Sequence, residues 1–415
     1  DGTPLFKLYA QRRQTALRRQ NAATEQTKQL LGLVARAANT RFGRDHDFAR
    51  ITSVADFQAR VPLRRYEAMW NEYWKPVFPK LIDCSWPGTI SYFALSSGTT
   101  SGTTKYIPCS AEMNRANARA ALDVMVHHVT RNPKSRVLGG KTFMLGGSTD
   151  LTALAPGIFA GDLSGIAAMH TPAWAKPRVF PPRELALIAD WEKKIEVLSR
   201  AIVGQDIRTI AGTPSWVLLF FEKLFASYPE RARTLKAFFP NLELIIHGGV
   251  NFTPYHSSYA SLMDGGHAET REVYPASEGF FASADLGHGE GMRVMADNGL
   301  FLEFVPVEEL DSSKPTRHWL ANIETGVDYA IAVSSCAAFR AMTSSARTPI
   351  TNVLVSSSAF CSSTSARPSR ASVESRVASR PSSSSGRSSI SSRSGSDCSA
   401  RPSWSGVGRH RHSTC

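Results

Sequence analysis

No stretch of this chain approaches the roughly 18 to 20 uninterrupted apolar residues that a membrane-spanning helix needs, which excludes a helical membrane protein. Apolar signal is equally lacking at the N-terminus, where Lys7, Arg12, Arg13, Arg18, Arg19 and Lys28 interrupt any leader-like run. The chain opens on Asp1, so its true start is expected to lie upstream. Cysteine is sparse: Cys84, Cys109, Cys336, Cys361, Cys398 and Cys415 stand far apart, without the short paired spacing of a zinc site or a disulfide framework. A cytoplasmic location follows as an expectation. Two phosphate signatures are also missing. The Walker loop requires four residues between its glycine and a Gly-Lys pair, and the dinucleotide pattern Gly-x-Gly-x-x-Gly does not occur.

What is present is a different glycine loop. Tyr92 to Lys105 runs from a hydrophobic strand into Ser96-Ser97-Gly98-Thr99-Thr100-Ser101-Gly102-Thr103-Thr104-Lys105. Gly98 and Gly102 permit backbone conformations closed to other residues, the hydroxyls supply donors, and Lys105 supplies a full charge. Such a segment can cradle phosphate. It can equally be a polar surface loop between two strands, the usual fate of this composition.

Charge divides the chain into two parts. Of the net +13, most lies in residues 339–415, which hold 11 arginines, no lysine and two acids, Glu374 and Asp397. Serine fills 26 of those 77 positions and apolar periodicity vanishes, so this tail is expected to be disordered. An Arg/Ser tail could bind nucleic acid, but serine and arginine without lysine is also what a GC-rich gene yields out of frame. A frame break near Ala338 is therefore expected, with residues 1–338 forming the folded domain. That body is close to neutral and needs no polyanionic partner.

The body alternates helices and strands. Spaced leucines from Leu5 to Ala38 predict one amphipathic helix, and Ser110 precedes a helix reaching about Val129. Lys141 to Leu145 reads as a buried strand, and Arg183 to Val203 as a helix. Asp206 to Gly212 is a short strand leading to Thr213 and Pro214, a strong helix start. Leu242 to His247 is a strand that exits into Gly248-Gly249, and Arg271 to Tyr274 leads into Pro275-Ala276-Ser277-Glu278-Gly279. A further strand spans Gly326 to Ser334. Polar loops thus gather at strand carboxyl ends, where α/β sheets bind ligands.

In this order, Ser96 to Lys105, Gly248-Gly249, Tyr274-Pro-Ala-Ser277-Glu278-Gly-Phe-Phe and Asn298-Gly-Leu-Phe-Leu-Glu-Phe-Val-Pro306 resemble the adenylate-forming superfamily. The resemblance is closer to the Gretchen Hagen family of acyl acid amido synthetases, including its bacterial members, and covers about residues 5 to 336. It implies an α/β fold like that of firefly luciferase, a large N-terminal domain of β-sheets packed with helices. It also implies ATP and Mg2+ as cofactors, with a small-molecule carboxylic acid and an amino acid as substrates. By this resemblance Ser96, Ser97, Gly98, Thr99, Thr100, Ser101, Gly102 and Lys105 wrap the triphosphate. Gly248 and Gly249 admit the adenine, Tyr274 stacks on or edges it, Ser277 bonds the α-phosphate and Glu278 holds the metal. Lys105, Ser277 and Glu278 are the implied catalytic residues, with Thr213 and Trp216 as acid contacts.

Structural alternatives stand beside several of these. Gly248-Gly249 can be only a tight turn, and Trp216, Leu218, Leu219 and Phe220 can be core rather than an acyl pocket. His127, His128 and His247 lack metal-ligand spacing. The family's aromatic-Arg-x-Gly-Asp motif and small C-terminal domain are not legible after Ser335, so an intact reaction is expected only of a frame-corrected chain. Alternatives are an acyl-CoA ligase of the phenylacetate type and a non-enzymatic remnant with a nucleic-acid-binding tail. The enzyme reading implies a monomer with neither nucleic acid nor membrane as partner.

Overall fold

The computed structural model describes residues 1–97, 104–147, 150–188, 190–287 and 289–337, with backbone strands at 339–342, 348–349 and 353–354. All of these lie in one compact unit, Asp1–Cys361. The central sheet has eight strands. Its middle is parallel, with Lys141–Leu145, Ile207–Gly212, Leu244–Gly248 and Glu269–Ala276 side by side and Val179–Phe180 flanking Lys141–Leu145. Beyond Glu269–Ala276 the order turns antiparallel through Gly279–Ser283 and Met292–Val294. A four-stranded sheet joins Thr104–Cys109, Tyr92–Ser97, Ile158–Gly161 and Thr152–Ala155, and a five-stranded sheet is built around Leu300–Pro306 and Asp328–Ser335.

Apolar burial explains the layering. Helix Pro214–Ser227 turns Val217, Phe220, Phe221, Leu224 and Phe225 onto Phe143, Ile207, Ile210 and Ile245 of the central sheet. Each large side chain buried there contributes about 1.5–3 kcal/mol. A second core packs Leu30, Leu33 and Val34 of helix Ala22–Ala37 with Phe93 and Ile107 of the four-stranded sheet and Phe301 of the five-stranded one. Among the described residues no helix is long and apolar enough to cross a membrane.

Two expected helices prove to be interrupted. The segment Leu5 to Ala38 is two helices, Thr3–Arg19 and Ala22–Ala37, because Asn21 adopts extended backbone and its side chain accepts the Thr24 N–H. Satisfying an orphan helix donor in this way favours a fresh start over continuation. Likewise, Arg183 to Val203 resolves into Arg183–Ala186 and Trp191–Ala201, the second capped by Asp190 on the Lys193 N–H. The strand at Lys141–Leu145 is present but only half buried, with Met144 exposed. The helix expected after Ser110 is Ala111–Arg131, and the Ser110 hydroxyl caps it by accepting the Met113 N–H. The expectations for Ala338 and for the tail, residues 339–415, fall outside the described residues except at 339–342, 348–349 and 353–354. Phe339–Met342 pairs with Asp328–Ser335.

The amino edge of the parallel strands is held by buried charge. His128 Nδ1 lies 2.6 Å from Glu269 Oε1 and its Nε2 lies 3.5 Å from Glu243 Oε2. Arg208 reaches Glu243 at 3.1 Å, Arg271 reaches Glu269 at 2.8 Å, and Ser135 Oγ donates to Glu243 at 2.5 Å. Burial alone would lower the His128 pKa, but its bonds to Glu243 and Glu269 prevail and raise it above the ordinary 6.5. Burial likewise opposes ionisation of Glu243, yet its bonds from His128, Ser135, Arg136 and Arg208 bring it down from 4.5 to about 2. The His128 contribution is thus complete below pH 6.5 and disappears as pH rises through the raised value. That of Glu243 is complete above pH 4.5 and disappears as pH falls towards 2. Urea midpoints should therefore fall from neutral to alkaline pH in the parent chain and fall much less in His128→Gln; equal slopes would remove His128 from the account.

Candidate functional site

The parallel strands end almost level. Leu145 pairs with Gly212 and Gly212 with His247, while Gly248 pairs with Val273. Glu269–Ala276 then runs three residues further, carrying Tyr274 past the edge of its neighbours. A two-residue turn, Ser277-Glu278, reverses the chain into Gly279–Ser283, with Ala276 opposite Gly279. The hairpin therefore projects Tyr274, Ser277 and Glu278 at the carboxyl edge of the sheet.

Gly248 and Gly249 have distinct reasons for being glycine. A Cβ on Gly248 would lie 2.2 Å from the Val273 carbonyl oxygen, so any side chain would force the two strands apart. Gly249 has φ +85°, and a Cβ there would come 3.9 Å from Thr213 Oγ1. The pair is thus both a required turn and a stretch of bare backbone beside Thr213. Gly248→Ala should cost about 1–3 kcal/mol by overpacking, read as a lower denaturant midpoint; an unchanged midpoint would mean that the edge is looser than these distances imply.

Thr213 precedes helix Pro214–Ser227 as expected, but its hydroxyl makes no capping hydrogen bond. Its Oγ1 instead borders the Gly248-Gly249 turn. Along this helix Phe220 is core and Leu218 packs against it, whereas Trp216 and Leu219 are 39% and 52% exposed. The run therefore splits between its two readings according to helix face. Trp216 lies 5.1 Å from the Trp191 ring, and its tip would approach a Cβ on Gly147 to 3.9 Å.

Lys105 and Glu278 come from different sheets. Ser96 and Lys105 pair directly across the hairpin whose loop they bracket. The Lys105 ammonium sits 2.9 Å from Glu67 and 4.9 Å from the centre of the Tyr66 ring. Glu278 retains some solvent contact, but the protein surrounds its carboxyl closely enough that burial raises its pKa; the charge of Lys105 lowers it only in part. Tyr274 is held edge-on to Phe281 at 5.1 Å, and its phenol is raised by burial and by the negative charge of Glu278. Lys105, Tyr274 and Glu278 thus share one electrostatic neighbourhood. The Ser97 side chain and residues Gly98, Thr99, Thr100, Ser101 and Gly102 lie outside the described residues, and Ser277 occupies the turn without a described side-chain partner.

Three side chains here were not singled out from the sequence. Glu67 and Tyr66 meet Lys105 from a short helix, Tyr66–Met69. Lys194 is buried and donates from Nζ to the Gly147 and Ala186 carbonyls at 2.9 Å each, fixing the backbone after strand Lys141–Leu145. Burial lowers its pKa, against the attraction of Asp162. A lysine within a polar helix face gives no sign of such burial. Among the described residues no group of three His, Cys, Asp or Glu side chains could hold a metal ion.

A parallel sheet with a reversing edge hairpin, flanked by a second sheet that delivers a glycine loop, defines the large N-terminal domain of the adenylate-forming fold. Solved structures support that class. The GH3.15 acyl acid amido synthetase superposes with a TM-score of 0.62 at 16% identity, covering 77% of this chain and 64% of that one. A 2-hydroxyisobutyryl-CoA ligase in complex with 2-HIB-AMP and CoA superposes with a TM-score of 0.51 at 14% identity, over 77% and 63%. This chain therefore spans less than two thirds of either. Residues 12–161 match the GH3 family N-terminal domain. No curated protein matches it.

Proposed function

We propose that this chain, in frame-corrected form, adenylates a carboxylic acid with ATP and passes the acyl group to the amine of an amino acid. The observation that carries this reading is the convergence of Lys105, Tyr274 and Glu278 at the carboxyl edge of the sheet, in a chain whose residues 12–161 match the GH3 family N-terminal domain. In the first step a carboxylate oxygen attacks the α-phosphorus, the bond to the β-phosphate bridging oxygen breaks, and pyrophosphate leaves. In the second the amine attacks the acyl carbon, AMP departs and the amine proton passes to solvent. Charge accumulates on phosphate oxygens throughout, so positioned donors supply most of the acceleration.

Within this reading Lys105 and the Ser96 to Gly102 loop hold the triphosphate and the departing pyrophosphate. Gly248-Gly249 offers bare backbone to the adenine, Tyr274 flanks the base, and Ser277 donates to the α-phosphate. Glu278 fits a Mg2+ ion, which when bound neutralises phosphate charge. Thr213 and the exposed face of Trp216 border the acid. Residues 1–338 form the catalytic domain, working in the cytoplasm as a monomer on small molecules. The likeness to a CoA ligase makes coenzyme A the competing acceptor.

Trapping with hydroxylamine, on the frame-corrected chain, tests the first step. Pyrophosphate release should require both ATP and an acid, and its absence across a broad acid panel would remove the adenylation reading. Amide product with amino acids, and no thioester with coenzyme A, is the expected second result; the reverse pattern would assign the chain to the CoA ligases.

A further inference from the structure

Lys105 is already engaged before any phosphate is considered. Its Nζ bonds Glu67 at 2.9 Å and lies over the Tyr66 ring, while Tyr66 Oη accepts the Tyr106 backbone N–H at 2.8 Å. Two adjacent residues thus grip both the charge of Lys105 and the backbone that follows it. Helix Tyr66–Met69 continues into a π-helix, Trp70–Trp74, the rare wide turn that often accompanies functional sites. It places Trp70 in stacked contact with Tyr66 at 6.0 Å and Tyr106 at 5.9 Å, with Phe78 edge-on to Tyr106 at 4.9 Å. This aromatic wall fixes where the lysine can lie.

The ion pair itself does little for the fold. The Glu67 side chain is 54% exposed and that of Lys105 15%, and pairs with an exposed partner contribute little to stability. Tyr66 already secures strand register through the Tyr106 backbone. The effect of Glu67 falls instead on the destination of a mobile ammonium, a compact charge on a flexible stem with three rotatable donors. Glu278 also feels the charge of Lys105. An ammonium settled on Glu278 would occupy the carboxylate that the proposed metal needs.

We propose that Glu67 is a positioning residue that parks Lys105 against Tyr66 in the nucleotide-free protein, away from Glu278, and yields it to phosphate when nucleotide binds. This rests on the reading of Lys105 as a phosphate contact. Parking has a measurable consequence: nucleotide must displace Glu67, so the carboxylate lowers ATP affinity, and only through Lys105.

Calorimetric titration of the full chain with ATP in EDTA, which removes the metal contribution, separates the two ideas. Lys105→Gln should weaken binding about tenfold, as expected for loss of a charge-assisted phosphate contact. Glu67→Gln should tighten it about fivefold, the size of a partly exposed ion pair, and Glu67→Asp should stay near the parent. In the Lys105→Gln background, Glu67→Gln should change nothing, a coupling that only a double-mutant cycle exposes. Tightening of equal size in both backgrounds would reduce Glu67 to a repulsive surface charge and overturn the proposal. So would unchanged or weaker binding in Glu67→Gln while Lys105→Gln binds poorly, which leaves the phosphate role intact. Parent-like binding by Lys105→Gln, or no binding by the parent chain, defeats the phosphate reading and the parking role together.

Discussion

Glu278→Gln is expected to remove nearly all metal dependence from nucleotide binding and to cut acid-dependent pyrophosphate release about 10²- to 10³-fold, the range for losing one preorganised group that stabilises transition-state charge. The substitution preserves shape and a carbonyl oxygen, so the hairpin turn between Ala276 and Gly279 should be kept. What it removes is the negative charge. Burial already raises the Glu278 carboxyl, so that charge is costly where it stands, and a bound cation is the natural compensation. Two readouts make the test independent of turnover. In the parent chain Mg2+ should tighten ATP binding, and in Glu278→Gln it should have almost no effect, while affinities in EDTA should stay similar. Full metal dependence in the variant would move the cation site elsewhere.

Arg317→Met should cost about 3–5 kcal/mol, the penalty for breaking a buried ion pair by removing one partner. Glu303 is fully buried on strand Leu300–Pro306, where every residue is buried. Arg317 approaches it with Nη2 at 2.8 Å and Nε at 3.0 Å, and Gln58 Nε2 donates to the same oxygen at 2.9 Å. Arg317 also donates to the carbonyls of Gln58 and Val61, tying helix Val54–Arg60 to the five-stranded sheet. Burial raises the Glu303 carboxyl and the guanidinium offsets part of that effect. Replacing Glu303 and Arg317 together by methionine should recover much of the loss, because desolvation of both charges disappears with them. Chemical denaturation with an unchanged m-value measures both variants; a loss below about 1 kcal/mol in Arg317→Met would show that Glu303 manages without its guanidinium.

Local pattern made much of the framework legible. Ser110 announced its helix through a capping hydroxyl, and Thr213-Pro214 announced another through the fixed φ of proline. Gly248-Gly249 was marked by composition, and the structure adds the reason: one position touches the Val273 carbonyl and the other has a positive φ. Local pattern failed where two signals competed in the same segment. Leucine spacing through Leu5 to Ala38 masked the cap at Asn21, and the apolar run after Pro214 could not reveal that Phe220 faces the core while Trp216 and Leu219 face outward.

The sequence by itself located strands at 141–145, 206–212, 242–247, 271–274 and 326–334, polar loops after several of them, and the motifs resembling adenylate-forming enzymes. These depend on short-range periodicity, on backbone-permissive residues and on hydroxyl-rich turns, all written within a few positions of one another. Only the tertiary structure decided which charges meet. Glu67 reaches Lys105 from 38 positions away in the chain, Glu278 arrives from another sheet, and Arg317 finds Glu303 across a loop. Electrostatic interaction depends on distance through space and on the depth of burial. Neither is fixed until the sheets have packed, so the choice of lysine partner at the candidate site belongs to the fold.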